Sequence, residues 1–163
     1  MLAFILECLI LCIILTVIVV SKEKKDPINM IYDFPRPLIE RCYELGLIKE
    51  KPRDMRRSTV IKKVIATAVL GIPMGFLVTY VNGAQGFWQG FLMVLGIIVV
   101  VSAYDVLMDI VWFCHDDSMI IPGTEDLIDC YHDYGFHVRA SLRGILICSP
   151  AAVVAGVVTA LLT

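Results

Sequence analysis

Four long apolar runs dominate the pattern of hydrophobic and polar positions along the chain. They cover residues 2–20, 64–81, 87–104 and 144–162. Each is close to the roughly 20 residues that a helix needs to cross a hydrocarbon core about 30 Å thick. The pattern predicts four transmembrane helices, and mixed polar positions extend the last two to about residues 87–112 and 140–162.

Composition supports the same assignment. Of the 163 residues, 58% are hydrophobic, which is above the usual share in a soluble domain, so a lipid bilayer is the expected surrounding. The predicted fold class is all-α: a polytopic membrane protein in which residues 1–163 form a single membrane domain. No nucleic-acid partner is expected. A cleaved signal peptide is the alternative for the first run, but Glu7 and the lack of a basic start argue against it.

The basic residues indicate how the chain is oriented. Twelve of the 14 Lys and Arg residues lie in residues 22–63, and the other two are Arg139 and Arg143. Because positive residues favour the cytoplasmic side, segments 21–63 and 113–139 are predicted to be cytoplasmic. Both termini are then extracytoplasmic.

The first polar segment contains a predicted amphipathic helix at the membrane interface, which begins at Pro37 and ends at Gly46. Its apolar face comprises Leu38, Ile39, Cys42, Tyr43 and Leu45. A basic cluster follows it, formed by Arg53, Arg56, Arg57, Lys62 and Lys63. Such clusters attract anionic lipid headgroups at about 1 kcal/mol per charge, and enforcing topology is the alternative role.

Four charged residues are predicted to lie at the inner interface: Asp105, Asp109, Arg139 and Arg143. The two aspartates are one helical turn apart, and so are the two arginines. An unpaired charge beside hydrocarbon is costly, so we expect ion pairs between the two helices. The alternative is an ion path lined by the aspartates.

Residues 115–137 read HDDSMIIPGTEDLIDCYHDYGFH and hold all three histidines with six acidic residues. A helix is predicted from Glu125, capped by Thr124, with Gly135 as a break. His and carboxylate side chains bind divalent cations, which makes a divalent metal one candidate cofactor. The candidate ligands are His115, Asp116, Asp129, His132, Asp133 and His137.

Two other interpretations of this acidic stretch stand beside the metal site. Segment 21–63 has 12 basic and 7 acidic residues, a net charge of +5, so the two oppositely charged segments are expected to dock. The third interpretation is a surface that binds a partner. The chain has no HExxH, paired CxxC, glycine-rich phosphate loop or nucleophile elbow, so no catalytic residue is assigned.

Small residues recur at helical spacing in the apolar runs. Gly71 and Gly75 form one pair, and Gly86 and Gly90 form another. The fourth run carries Ala152, Gly156 and Ala160 in register. Such faces allow close helix approach, within the bundle or between protomers, so a homo-oligomer or a membrane complex is expected.

The segment IPGTEDLIDCYHDYGFHVRASLRG, residues 121–144, resembles a stretch of small bacterial four-helix membrane proteins of unassigned function, some of them labelled permeases. The resemblance implies a bacterial inner-membrane location. It brings no activity and no site residues.

The function expected from the sequence is that of a non-enzymatic subunit of a transport system or membrane complex. One alternative is a metal-dependent enzyme acting on a lipid or isoprenoid phosphate at the cytoplasmic leaflet. Another is a membrane scaffold or regulator.

Overall fold

The computed structural model describes residues 2–23, 26–49, 57–115 and 117–163, and every regular element in these ranges is helical. The α-helices are α1 (Leu2–Glu23), α2 (Arg36–Glu44), α3 (Arg57–Tyr80), α4 (Gly86–Met108), α5 (Ile128–Tyr131) and α6 (Tyr134–Leu162). A π-helical segment, Asp109–Phe113, follows α4, and 3₁₀ turns cover Pro27–Asp33, Asp117–Met119 and Glu125–Leu127.

Four stretches are long and apolar enough to cross a membrane, as the sequence predicts. They are Leu2–Ser21, Arg57–Tyr80, Gly86–Trp112 and Tyr134–Leu162. The last begins earlier than the apolar pattern indicates. The Asp133 carboxylate accepts a hydrogen bond from the Phe136 amide at 2.8 Å, and this cap starts α6 before its apolar run.

The chain divides into two compact units. The bundle unit comprises Met1–Cys12, Met55–Tyr104 and Ser141–Thr163, and the polar unit comprises Ile13–Asp54 and Asp105–Ala140.

The bundle unit packs through its small residues. A Cβ added at Gly71 would meet the Ala151 carbonyl oxygen, and one at Gly75 would meet Val158 Cβ at 2.7 Å. A Cβ on Gly90 would meet the Thr159 side chain. The glycines of α3 and α4 therefore let both helices approach α6 closely. Gly86 serves differently, because it adopts a φ of 65° at the first residue of α4.

Several polar side chains inside the bundle unit bond one another, although the buried Asn82 Oδ1 has no partner among the described residues. The hydroxyl oxygens of Thr79 and Thr159 lie 3.0 Å apart, and each also bonds a carbonyl of its own helix. The Asn82 amide donates to both carboxylate oxygens of Glu7, at 3.0 and 2.8 Å. An acid within an apolar helix is thus hydrogen-bonded by the turn between α3 and α4, which limits the cost of placing it there.

The core of the polar unit contains residues of both segment 21–63 and segment 113–139. Ile31, Leu38 and Cys42 are fully buried, and the Phe34 and Tyr131 rings meet edge to face with centroids 5.2 Å apart. Helix α2 ends as predicted, since the Gly46 and Leu47 amides donate to the Tyr43 and Cys42 carbonyls. Its predicted apolar face is only partly correct. Tyr43 and Leu45 are exposed, because they lie at the turn where the helix ends.

Two predictions for residues 124–135 are wrong. The Thr124 hydroxyl does not cap a helix; it donates to the Ile121 carbonyl at 2.7 Å and accepts from the Tyr131 hydroxyl at 2.8 Å. The Tyr131 oxygen accepts from the Ile121 amide, which closes a buried ring of hydrogen bonds. Gly135 does not break a helix, because the break falls before it and the residue lies in the first turn of α6.

The close contact at Gly71 gives a prediction for stability. We expect Gly71→Ala to lower the free energy of unfolding by about 1–3 kcal/mol, because its methyl group would overlap the Ala151 backbone. Gly144→Ala is the control, since a Cβ there meets nothing within 4 Å. Unfolding in detergent micelles measures both. Equal stability of the two variants would contradict the packing described.

Candidate functional site: a buried histidine–aspartate pair

The site centres on His137, which lies in the first turns of α6 and is only 4% exposed. Two phenylalanine rings face the imidazole edge to face, Phe34 with ring centroids at 6.5 Å and Phe136 at 5.5 Å. The imidazole therefore sits in largely apolar surroundings. A polar group there needs a hydrogen-bond partner to offset its lost hydration.

Asp109 supplies that partner. Its Oδ2 lies 2.9 Å from His137 Nδ1, and its side chain is 23% exposed. Since a carboxylate only accepts, the geometry assigns the proton to Nδ1. Asp109 also begins the π-helical segment, in which the Cys114 amide bonds the Asp109 carbonyl at 3.0 Å, five residues back. Such π-segments occur frequently at functional sites.

The second nitrogen of the imidazole distinguishes this site from an ordinary buried histidine. Nε2 is fully buried and has no hydrogen-bond partner among the described residues. Leaving a buried polar atom unpaired costs about 1–3 kcal/mol. With Nδ1 protonated, Nε2 carries the free lone pair, and it is the atom that would accept a further proton.

Two more carboxylates lie near the pair. Asp105 precedes Asp109 by one turn, and Asp33 reaches it from the 3₁₀ turn before α2. Asp105 is within electrostatic range of Asp109, Asp33 and His137.

Cys114 lies just outside the spanning helices, and the pKa of its thiol reflects the environment near Asp109. Its side chain is 1% exposed, and burial raises the pKa of its thiol to about 11, with the Asp109 and Asp133 carboxylates adding to the shift. Both causes disfavour an anion. The surroundings of the pair are thus poorly hydrated and negative in potential.

The sequence predicts ion pairs between the two aspartates, Asp105 and Asp109, and the two arginines. In the structure, Asp109 and Arg139 pair with other residues. Asp109 bonds His137, while Arg139 Nη2 lies 3.6 Å from the half-buried Asp133 carboxylate. The reason is helical phase. Residues two apart on a helix point about 200° away from each other, so burying His137 directs Arg139 outward. Arg143 is also exposed.

The other candidate metal ligands do not converge on one point. The His115 and His132 rings have centroids 6.5 Å apart, and His115 Nδ1 is hydrogen-bonded to the Ile110 carbonyl. Asp133 caps α6, and Asp129 is exposed. Asp116 lies outside the described residues. Among the residues described, no three His, Cys, Asp or Glu side chains form a group that could hold a metal ion.

Among the described residues, an ion pair between Arg41 and Asp126 joins the two charged segments. Arg41 of α2 donates to both carboxylate oxygens of Asp126, at 3.0 and 2.9 Å. The two side chains are 34% and 59% exposed, so the pair contributes at most about 1 kcal/mol. It orients the segments more than it stabilises them, and the shared apolar core provides the larger part of the contact.

The lipid-headgroup candidates divide into two groups. Arg57, Lys62 and Lys63 lie exposed on the first turns of α3. Arg53 and Arg56 lie outside the described residues.

The sequence pattern does not reveal Asp33 as part of the site. Segment 21–63 is characterised mainly by its basic residues, so its sequence does not single out this carboxylate. The tertiary structure brings Asp33 near α4.

No protein-family model, curated protein sequence or solved structure matches this chain. The argument for function therefore depends on the geometry of the site alone.

The hydrogen bond between Asp109 and His137 gives a prediction for stability. We expect Asp109→Ala to lower the free energy of unfolding by about 1–3 kcal/mol, because it leaves a buried N–H unpaired. Asp109→Asn keeps an acceptor and should cost less. Asp129→Ala, at an exposed acid, should change the free energy by no more than about 0.5 kcal/mol.

A double-variant cycle provides the control for this prediction. Combining Asp109→Ala with His137→Leu should cost less than the sum of the single changes, because both polar partners are then removed. Additive losses, measured by unfolding in detergent micelles, would contradict a direct interaction.

Proposed function

We propose that this chain is a non-enzymatic subunit of a membrane transport system or membrane complex, and that His137, Asp109 and Asp105 form its proton-carrying site. The observation that carries the proposal is the buried imidazole bonded to Asp109 at 2.9 Å. Both residues belong to stretches long and apolar enough to cross a membrane. Ionisable residues in such helices are costly and typically mark ion pathways or proton relays.

The imidazole has the chemistry that a relay requires. A proton added at Nε2 makes the ring cationic, and the ring can then release the Nδ1 proton to the Asp109 carboxylate. This returns a neutral imidazole with its proton on the opposite nitrogen. Asp105, one turn away, is placed to receive the proton next or to adjust the charge of Asp109.

The polar unit has a proposed structural role beside this site. We propose that segments 21–63 and 113–139 dock on each other, supported by the Arg41–Asp126 pair and the shared core around Phe34. The acids left exposed on the outer surface, such as Asp129, then offer a partner an anionic surface.

The membrane location is also a proposal. The distribution of basic residues supports placing both segments in the cytoplasm and both termini outside. The resemblance of residues 121–144 supports a bacterial inner membrane. The exposed apolar side chains of α1, including Leu9, Ile13 and Val17, suit contact with lipid or with another protomer in an oligomer.

A metal-dependent lipid enzyme is the less supported alternative. It requires at least three ligands around one ion, and the described residues bring no such group together.

Proton flux into liposomes tests the transport proposal. The purified chain is reconstituted into vesicles that contain a pH-sensitive dye, and a potassium diffusion potential drives proton entry. We expect flux above that of protein-free vesicles. Asp109→Asn and His137→Gln should reduce it to the protein-free level, because each removes one proton-binding position of the pair.

Asp129→Asn is the matched control, since it removes an acid that is exposed in the polar unit. It should leave the flux unchanged. Wild-type flux equal to that of empty vesicles, or equal flux in all variants, would contradict the proposed proton path. Stoichiometric bound metal in elemental analysis would favour the enzyme instead.

A further inference from the structure

We propose that the bundle unit binds one anionic glycerophospholipid, with an acyl chain in an apolar cavity and the phosphate at Lys63. The cavity has a volume of about 330 Å³ and is partly open. All four long helices contribute to its lining, with side chains that include Leu11, Leu70, Met74, Val94, Ile97 and Ala151. This site is distinct from the histidine–aspartate pair and does not depend on the proton proposal.

Pro73 lies inside α3 and lines the cavity. Proline has no N–H to bond the preceding turn, so its presence interrupts the hydrogen-bond pattern of α3 at the cavity wall. On either side of it, Gly71 and Gly75 keep α3 in close contact with α6.

The cavity lies along parts of α3 and α4. Its lining extends from Thr67 to Met74 on α3 and from Val94 to Ser102 on α4. At 1.5 Å per residue these stretches correspond to roughly 10 and 12 Å. A groove of this form fits a hydrocarbon chain lying parallel to the helices.

The lining selects an apolar occupant. Genuinely apolar cavities exclude water. Thr67, at one end, offers no free donor, because its hydroxyl oxygen lies 2.9 Å from both the Val64 and Ile147 carbonyl oxygens. The helices themselves are apolar enough to span a bilayer, so acyl chains are the hydrocarbon that surrounds the opening.

A cation lies at the Thr67 end. Lys63 precedes Thr67 by one turn of α3 and is exposed. It is within electrostatic range of Cys148, which lines the cavity. No carboxylate among the residues described forms an ion pair with Lys63. An apolar groove that ends beside an exposed ammonium group, unpaired as far as the described residues show, matches a long chain attached to a phosphate.

Native mass spectrometry of the delipidated full chain tests this site. Palmitoyl-oleoyl phosphatidylglycerol and the phosphatidylcholine with identical chains are titrated separately. We expect one phosphatidylglycerol to bind with clear preference over the zwitterionic lipid. Lys63→Gln should weaken phosphatidylglycerol binding about fivefold and leave phosphatidylcholine binding unchanged. Lys49→Gln, a lysine of the polar unit, is the control and should change neither.

Filling the cavity with a larger side chain tests whether the acyl chain of the lipid lies there. Ile98→Phe places added volume in the lining and should weaken both lipids, whereas Leu92→Phe, at an exposed position of α4, should weaken neither. Circular dichroism and thermal unfolding confirm that each variant is folded. Equal affinity for the two headgroups, or no effect of Ile98→Phe in a folded protein, overturns the proposal. Displacement of phosphatidylglycerol by an equimolar polyprenyl phosphate also overturns it and assigns the groove to an isoprenoid.

Discussion

The hydrogen bond between His137 and Asp109 is the constraint on which the polar unit depends. A buried imidazole needs a hydrogen-bond partner, and Asp109, at the start of the π-helical segment after α4, provides it. Each group offsets the cost of burying the other. Because His137 is buried, Arg139, two residues later on α6, is directed toward solvent and Asp133.

The bundle unit follows a different principle. Its helices pack through glycine and alanine contacts, and some of their polar groups bond one another, as Thr79 does with Thr159. Close backbone contact between helices supplies the association that the hydrophobic effect cannot supply in a surrounding of lipid tails. The result is a mainly apolar unit with a cavity that Pro73 helps to line, while the histidine–aspartate pair lies in the polar unit.

Much of the helical framework could be predicted from the sequence, because long apolar runs and a glycine after an amphipathic turn have few alternative structures. The four spanning stretches and the end of α2 at Gly46 illustrate this. The site could not be predicted as a whole. Asp109 and His137 were both candidates, but the pairing depends on helical phase and on the π-helical segment, which no local pattern of residues specifies. Asp33 and the Thr124–Tyr131 contact likewise depend on distant parts of the chain.

The most direct test of the account is nitrogen NMR of the His137 side chain in lipid nanodiscs, compared with Asp109→Asn. The observed geometry predicts that the neutral ring carries its proton on Nδ1, in a hydrogen bond to a carboxylate. Asp109→Asn should weaken this hydrogen bond and so shift the Nδ1 signal. A ring protonated on Nε2, or one whose signals are the same in both proteins, would contradict the central claim.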